Sequence, residues 1–197
     1  MILSEATGIS PRGLGWPYAP GIWNKAQIEA WKPITSAVHA AGGCIFSQLW
    51  HMGRLVHPSL PGRGQPVSAS ATTMPGLART YDGKQPYTEA RPMSHDDIGD
   101  VLRDYRAAAR NALEASFDGV QIHAANGYLI DQFLRDNANF RTDESIRAGS
   151  QCGTGALHVL DDGAVVFVIA WDQHRRAVAI EARGQRLDRV VEAREMV

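Results

Sequence analysis

Residues 119–143 read GVQIHAANGYLIDQFLRDNANFRTD, and the fold turns on this stretch. A short apolar run, Gly119 to Ile122, breaks into polar groups at His123, Asn126 and Tyr128. An apolar run that ends in polar side chains is the pattern of a buried parallel strand whose C-terminal tip opens into a site. A short helix over about Tyr128 to Arg135 is expected to follow.

Upstream, Phe117-Asp118-Gly119 is reached from a helix that Ser94 caps, with Asp97 at the third position. Its apolar stripe runs Ile98, Val101, Leu102, Tyr105, Ala108, Ala109, Ala112, Leu113 and Ser116. Before it lies a Gly-, Pro- and Ser-rich segment, His51 to Thr88, too long for an ordinary connection and read as a functional, lid-like excursion. Cys44 to Trp50 reads as a near-continuous apolar strand interrupted by Gln48, with Cys44 as a small core residue. Asn24 caps a helix running to about Ala41, with Ile28, Trp31, Thr35, Val38 and Ala41 on one face and Pro33 inside it. Met1 to Thr7 reads as a first strand.

Strand, helix, strand, long loop, helix, strand implies an α/β parallel sheet with right-handed crossovers. A (β/α)8 TIM barrel is the closed form, and the chain accommodates roughly its first half. The alternation stops near Glu144. Residues 1–144 are therefore read as a partial barrel domain and 145–197 as an atypical tail, in which Val165 to Trp171 and Ala177 to Ala182 form a hairpin.

Composition excludes several classes. The 197 residues are 44% hydrophobic and 21% charged, which is globular rather than disordered. A net charge of −1 without a basic tract argues against nucleic acid. No apolar run is long enough for a bilayer and the N-terminus lacks the marks of a secretory signal, so a cytoplasmic location is expected. Cys44 and Cys152 form no disulfide framework, and neither His-Glu-x-x-His nor Cys-x-x-Cys occurs, so metal catalysis is not expected.

Two clusters carry chemistry. His123 and Asn126 can both donate to one oxygen, and Tyr128 can supply a proton. The same spacing also suits a satisfied strand-end histidine, a turn asparagine and a helix-start tyrosine. Gln48, Trp50, His51 and Arg54 stand at another strand end. Gln48 needs a partner if buried, either a heteroaromatic ring edge or neighbouring backbone. Arg141 with Asp143 reads as a surface ion pair.

Several segments together carry a family resemblance: Ser4 to Pro11, Pro20 to Trp23, Glu29 to Ile34, Gln48 to Arg54, Ala107 to Ala112 and Phe117 to Asp143. In this order they resemble the Old Yellow Enzyme family of FMN-dependent ene-reductases over residues 1–144. The His-x-x-Asn spacing and the loop Ser68 to Pro92 are similar to the bacterial N-ethylmaleimide reductase type. The resemblance implies FMN at the barrel mouth and NAD(P)H as reductant. It further implies a small electrophilic alkene as substrate: an enone, maleimide or nitroalkene. By the same resemblance Gln48 bonds the flavin, His123 and Asn126 hold the substrate oxygen, Trp50 lines the pocket, and Tyr128 is the catalytic proton donor. The loss of motif after Glu144 leads to a further expectation, a truncated or frameshifted product. Its alternative function is then an inactive half-barrel that binds no FMN.

Overall fold

The computed structural model describes residues 1–62 and 64–143, together with the strand segments 166–171, 177–183 and 186–192. Three parallel strands lie side by side at one end of its main sheet: β1 (Ile2–Gly8) on the edge, then β2 (Ile45–Trp50) and, after the excursion, β7 (Gly119–Ala124). The excursion contributes β3 (Val67–Ser68) and β6 (Arg91–Pro92), which pair in parallel. It also contributes the antiparallel hairpin of β4 (Leu77–Thr80) and β5 (Gly83–Pro86). β8 (Val166–Trp171) adds in parallel to β7, and β9 (Ala177–Arg183) and β10 (Arg186–Glu192) continue antiparallel. The expected hairpin in the C-terminal segment is thus present, and the rest of 145–197 lies outside the described residues.

Helix α1 (Lys25–Ala40) links β1 to β2, α2 (His95–Glu114) leads into β7, and α3 (Leu129–Leu134) follows it. Both long helices start where the sequence places their caps. The Asn24 side chain accepts from the Gln27 N–H, and Ser94 and Asp97 bond each other's backbone N–H groups. Asp97 also takes both Nη atoms of Arg91, at 2.7 and 2.9 Å, which ties the end of the excursion to α2. The Arg91 guanidinium holds the Asp97 carboxyl well below the usual carboxylate range, with the Ser94 hydrogen bonds assisting.

Strand alternation separates core from site. Ile45 and Leu49 of β2 and Val120 and Ile122 of β7 are buried against Ile28 and Trp31 of α1 and Tyr105, Ala108, Ala109 and Ala112 of α2. The alanines let α2 lie close to the sheet, and burial of this layer is the main favourable term in holding it there. The other face carries Gln48, Trp50, Gln121 and His123, because successive side chains point to opposite faces. Thr35, fully buried on α1, donates to the Ala115 carbonyl at the end of α2 at 2.8 Å. Thr35→Val is expected to lower stability by about 1–2 kcal/mol, read from urea denaturation, since it orphans that carbonyl without changing shape.

Three expectations are corrected. Cys44 is exposed, because β2 begins one residue later and the thiol stays outside the layer. Leu113 and Ser116 leave the buried face of α2, since the helix ends at Glu114 and Ala115 and Phe117 take the inward positions. Arg141 is no surface pair. Its side chain is 9% exposed, and its Nη1 donates to the Met93 carbonyl at 2.6 Å and more weakly to that of Ala69, while Asp143 takes Nε and Nη2.

Candidate active site

Strands β1, β2 and β7 run the same way, so the loops after Gly8, Trp50 and Ala124 gather at one edge of the sheet. The two candidate clusters meet there. Tyr128, at the start of α3, makes an edge contact with His123 at 4.8 Å between ring centroids and another with Trp50 at 5.2 Å. A phenol wedged between an imidazole and an indole has few rotamers left.

His123 is half-buried, and its Nδ1 accepts the Ala125 N–H at 3.4 Å. That bond leaves the ring proton on Nε2, free to donate outwards. Burial pushes the imidazole below its ordinary value, with the Asp131 charge opposing, so His123 is neutral at pH 7. Burial, helped by Tyr87, raises the Tyr128 phenol, so it keeps its proton. Asn126 is exposed, with φ of 59°.

Gln48 and Gln121 pair across β2 and β7 in register, and Gln48 Nε2 donates to Gln121 Oε1. Gln48 therefore bonds a side chain rather than backbone. The Trp50 indole N–H is buried with no partner among the described residues. Around Trp50, Met52, Leu55 and Val56 pack Met74 and Tyr87 from the excursion, which thus forms one wall of the site.

His51 and Arg54 do not join this face. His51 is fully buried and its Nδ1 accepts the Gly53 N–H at 3.0 Å. Arg54 is half-buried, and its Nε is shielded from solvent with no partner among the described residues. Their neighbourhood in sequence placed them at the strand tip, but the chain turns inward at His51.

Sequence reasoning missed two residues. Gln121 was legible: it is a polar side chain in an apolar strand, two residues before His123 and so on the same face. Tyr87 carried no signal, since the excursion has no period to say which side chains face inward.

A profile of the NADH:flavin oxidoreductase / NADH oxidase family matches residues 1–152. The chain belongs to this family. Among its curated relatives, 12-oxophytodienoate reductase 2 of Arabidopsis thaliana is 48% identical over 145 residues, covering 73% of this chain and 39% of that protein. Flavin oxidoreductase hxnT of Emericella nidulans is 49% identical over 145 residues, covering 73% and 37%. An old yellow enzyme homologue from Zymomonas mobilis superposes with a TM-score of 0.71 at 62% identity, over 76% of this chain and 41% of that one. Morphinone reductase in complex with tetrahydroNAD superposes at 0.68 with 44% identity, over 72% and 41%. The chain thus spans about two fifths of the length of the relatives it matches.

The fold is that of part of a TIM barrel, as the family resemblance implied. The cofactors of the family, FMN and NAD(P)H, are those the resemblance implied. The residues at the strand tips fit a flavin edge. Gln48 is half-buried, and among the described residues its carbonyl oxygen and one amide hydrogen remain uncommitted after its bond to Gln121. An amide so placed matches the alternating donors and acceptors of a pyrimidine ring.

Proposed function

We propose that these residues form the site of an FMN-dependent oxidoreductase that takes hydride from NAD(P)H. It reduces the carbon–carbon double bond of α,β-unsaturated carbonyl, maleimide or nitro compounds. A cytoplasmic location goes with this reading. The observation that carries it is the packing of Tyr128 between His123 and Trp50, on the same sheet face as Gln48.

Bound FMN supplies the hydride chemistry, and Gln48 is the residue that bonds its pyrimidine edge. His123 directs Nε2–H at the substrate carbonyl or nitro oxygen, and the Asn126 carboxamide adds a second donor. Two donors at that oxygen stabilise the negative charge growing on it, and losing one from such a site costs about 10²–10³ in rate. Tyr128 delivers a proton to the α-carbon as the β-carbon is reduced. Trp50 walls the pocket and excludes water.

The test is a fluorescence titration of the purified chain with FMN, followed by NAD(P)H oxidation with and without an enone. Binding together with enone-dependent oxidation is expected; absence of both rejects the proposal. His123→Ala is expected to weaken binding of carbonyl or phenolic ligands about tenfold, the worth of one good hydrogen bond. Unchanged affinity would count against the paired donors.

A second reading, a half-barrel that binds no FMN, draws on the edge of the sheet. Ile2 and Leu3 of β1 are 49% and 41% exposed, and Ile2, Pro33, Ile34, Ala37 and Val38 line an apolar groove. Such an edge favours association over activity. An FMN titration that gives no binding, with aggregation in its place, selects this reading.

A further inference from the structure

The loop that carries Asn126 and Tyr128 is held in an unusual backbone state. Asn126 and Gly127 are both left-handed, with φ of 59° and 78°. Asparagine and glycine are the residues that enter that region most readily, and this turn is also held from outside. The holders are consecutive residues of α3, and both are buried: Asp131 is 2% exposed and Gln132 0%.

Asp131 Oδ2 accepts the Gly127 N–H at 2.7 Å. Gln132 Nε2 donates to the Gly127 carbonyl, also at 2.7 Å. The first bond grips the peptide that joins Asn126 to Gly127. The second grips the peptide that joins Gly127 to Tyr128. Both planes on either side of one glycine are therefore pinned, and each leads to a residue of the proposed site.

Gln132 reaches further. Its Nε2 also donates to the Met52 carbonyl at 3.0 Å, and its Oε1 accepts the Arg54 N–H at 3.2 Å. Gly53 lies directly against it: a Cβ there would stand 2.3 Å from Gln132 Oε1. One carboxamide thus joins the loop after β7 to the loop after β2, which carries Trp50 at its root. The Leu129 N–H adds a parallel tie to the His51 carbonyl at 3.0 Å.

We infer that Asp131 and Gln132 are positioning residues of this site: Asp131 fixes the turn that presents Asn126 and Tyr128, and Gln132 sets the distance between that turn and the Trp50 strand tip. The inference rests on the function proposed above for its kinetic consequence, but not for its geometry. Neither side chain needs to touch substrate or flavin. Buried polar groups bonded to the backbone specify one conformation, because leaving such bonds unmade in a dry interior is costly. The Arg135 Nε, 2.7 Å from Asp131 Oδ2, neutralises the buried carboxylate from the solvent side.

The experiment compares Asp131→Ala, Asp131→Asn and Arg135→Lys with the parent chain. Without flavin, NMR reads the contact between the Tyr128 and His123 rings and the hydrogen exchange of the Gly127 amide. In Asp131→Ala the ring contact should vanish and exchange should speed up about tenfold. Asp131→Asn keeps an acceptor for the Gly127 N–H and should restore both, and Arg135→Lys, which keeps the countercharge and leaves that bond intact, should change neither. With FMN bound, Asp131→Ala should slow alkene reduction about 10²-fold while flavin reduction by NAD(P)H persists, as expected for a displaced proton donor.

A ring contact that survives in Asp131→Ala overturns the inference. So does its loss in Arg135→Lys or in folded Asp131→Asn, variants that decide the matter even where the alanine variant does not fold. If the parent chain neither binds FMN nor reduces alkenes, the proposed function fails while the flavin-free NMR comparison still decides the positioning role.

Discussion

Tyr128→Phe is expected to slow reduction of the alkene by about 10²–10⁴-fold and leave flavin reduction by NAD(P)H nearly unchanged, the range a positioned general acid contributes. The substitution is clean on geometric grounds. The contacts of Tyr128 with His123 and Trp50 are edge contacts between rings, at 4.8 and 5.2 Å. Phenylalanine keeps them and loses only the hydroxyl. Burial and the neighbouring Tyr87 raise the phenol above its ordinary value near 10, so the proton is held throughout the neutral range. Alkene reduction by the parent chain should accordingly show no decline from this group through the neutral range. Stopped-flow measurement of the two half-reactions separates the outcomes. Equal loss in both rejects the proton-donor role.

Acid should unfold the chain through His51. The imidazole is fully buried, and burial, with a smaller push from the Arg12 charge, drives it from 6.5 to about 3. Between those values the unfolded chain binds a proton that the folded chain refuses. The stability at stake is therefore complete above pH 6.5 and drains away as pH falls towards 3, by about 1.4 kcal/mol per pH unit. Over the two units below 6.5 this amounts to about 3 kcal/mol, a large part of a typical folding free energy. His51→Asn retains an acceptor for the Gly53 N–H and does not titrate. Urea midpoints at neutral pH and near pH 4.5 should fall steeply for the parent chain and less for the variant. Carboxylates titrate in both, so the difference between the two slopes isolates His51. Parallel slopes would refute the assignment.

These predictions concern residues of different legibility. Tyr128 and His123 could be singled out from the chain because strand periodicity and a polar burst are local signals. The helix caps at Asn24 and Ser94 were equally readable, since a cap bonds backbone only three residues away. Cys44 and His51 were misplaced for the opposite reason. Cys44 stands at the frayed start of β2, where a shift of one residue moves a side chain out of the core. His51 stands at its end, where the direction of the next turn decides burial. Arg141 looked like half of a surface pair, because its carbonyl partners Met93 and Ala69 lie 48 and 72 residues away.

The amino-acid sequence by itself determined the order of the long strands and helices outside the excursion, the apolar faces that pack α1 and α2 against β2 and β7, and the side chains that carry chemistry. Each of these follows from interactions within a few residues or from a simple period. Tertiary structure alone decided that Gln48 meets Gln121, that Tyr87 closes on Tyr128, and that Gln132 reaches the loop of Met52 and Arg54. Those contacts span two separate loops or strands. Their geometry is set by how the strands register and how the excursion folds back, and no local pattern encodes either.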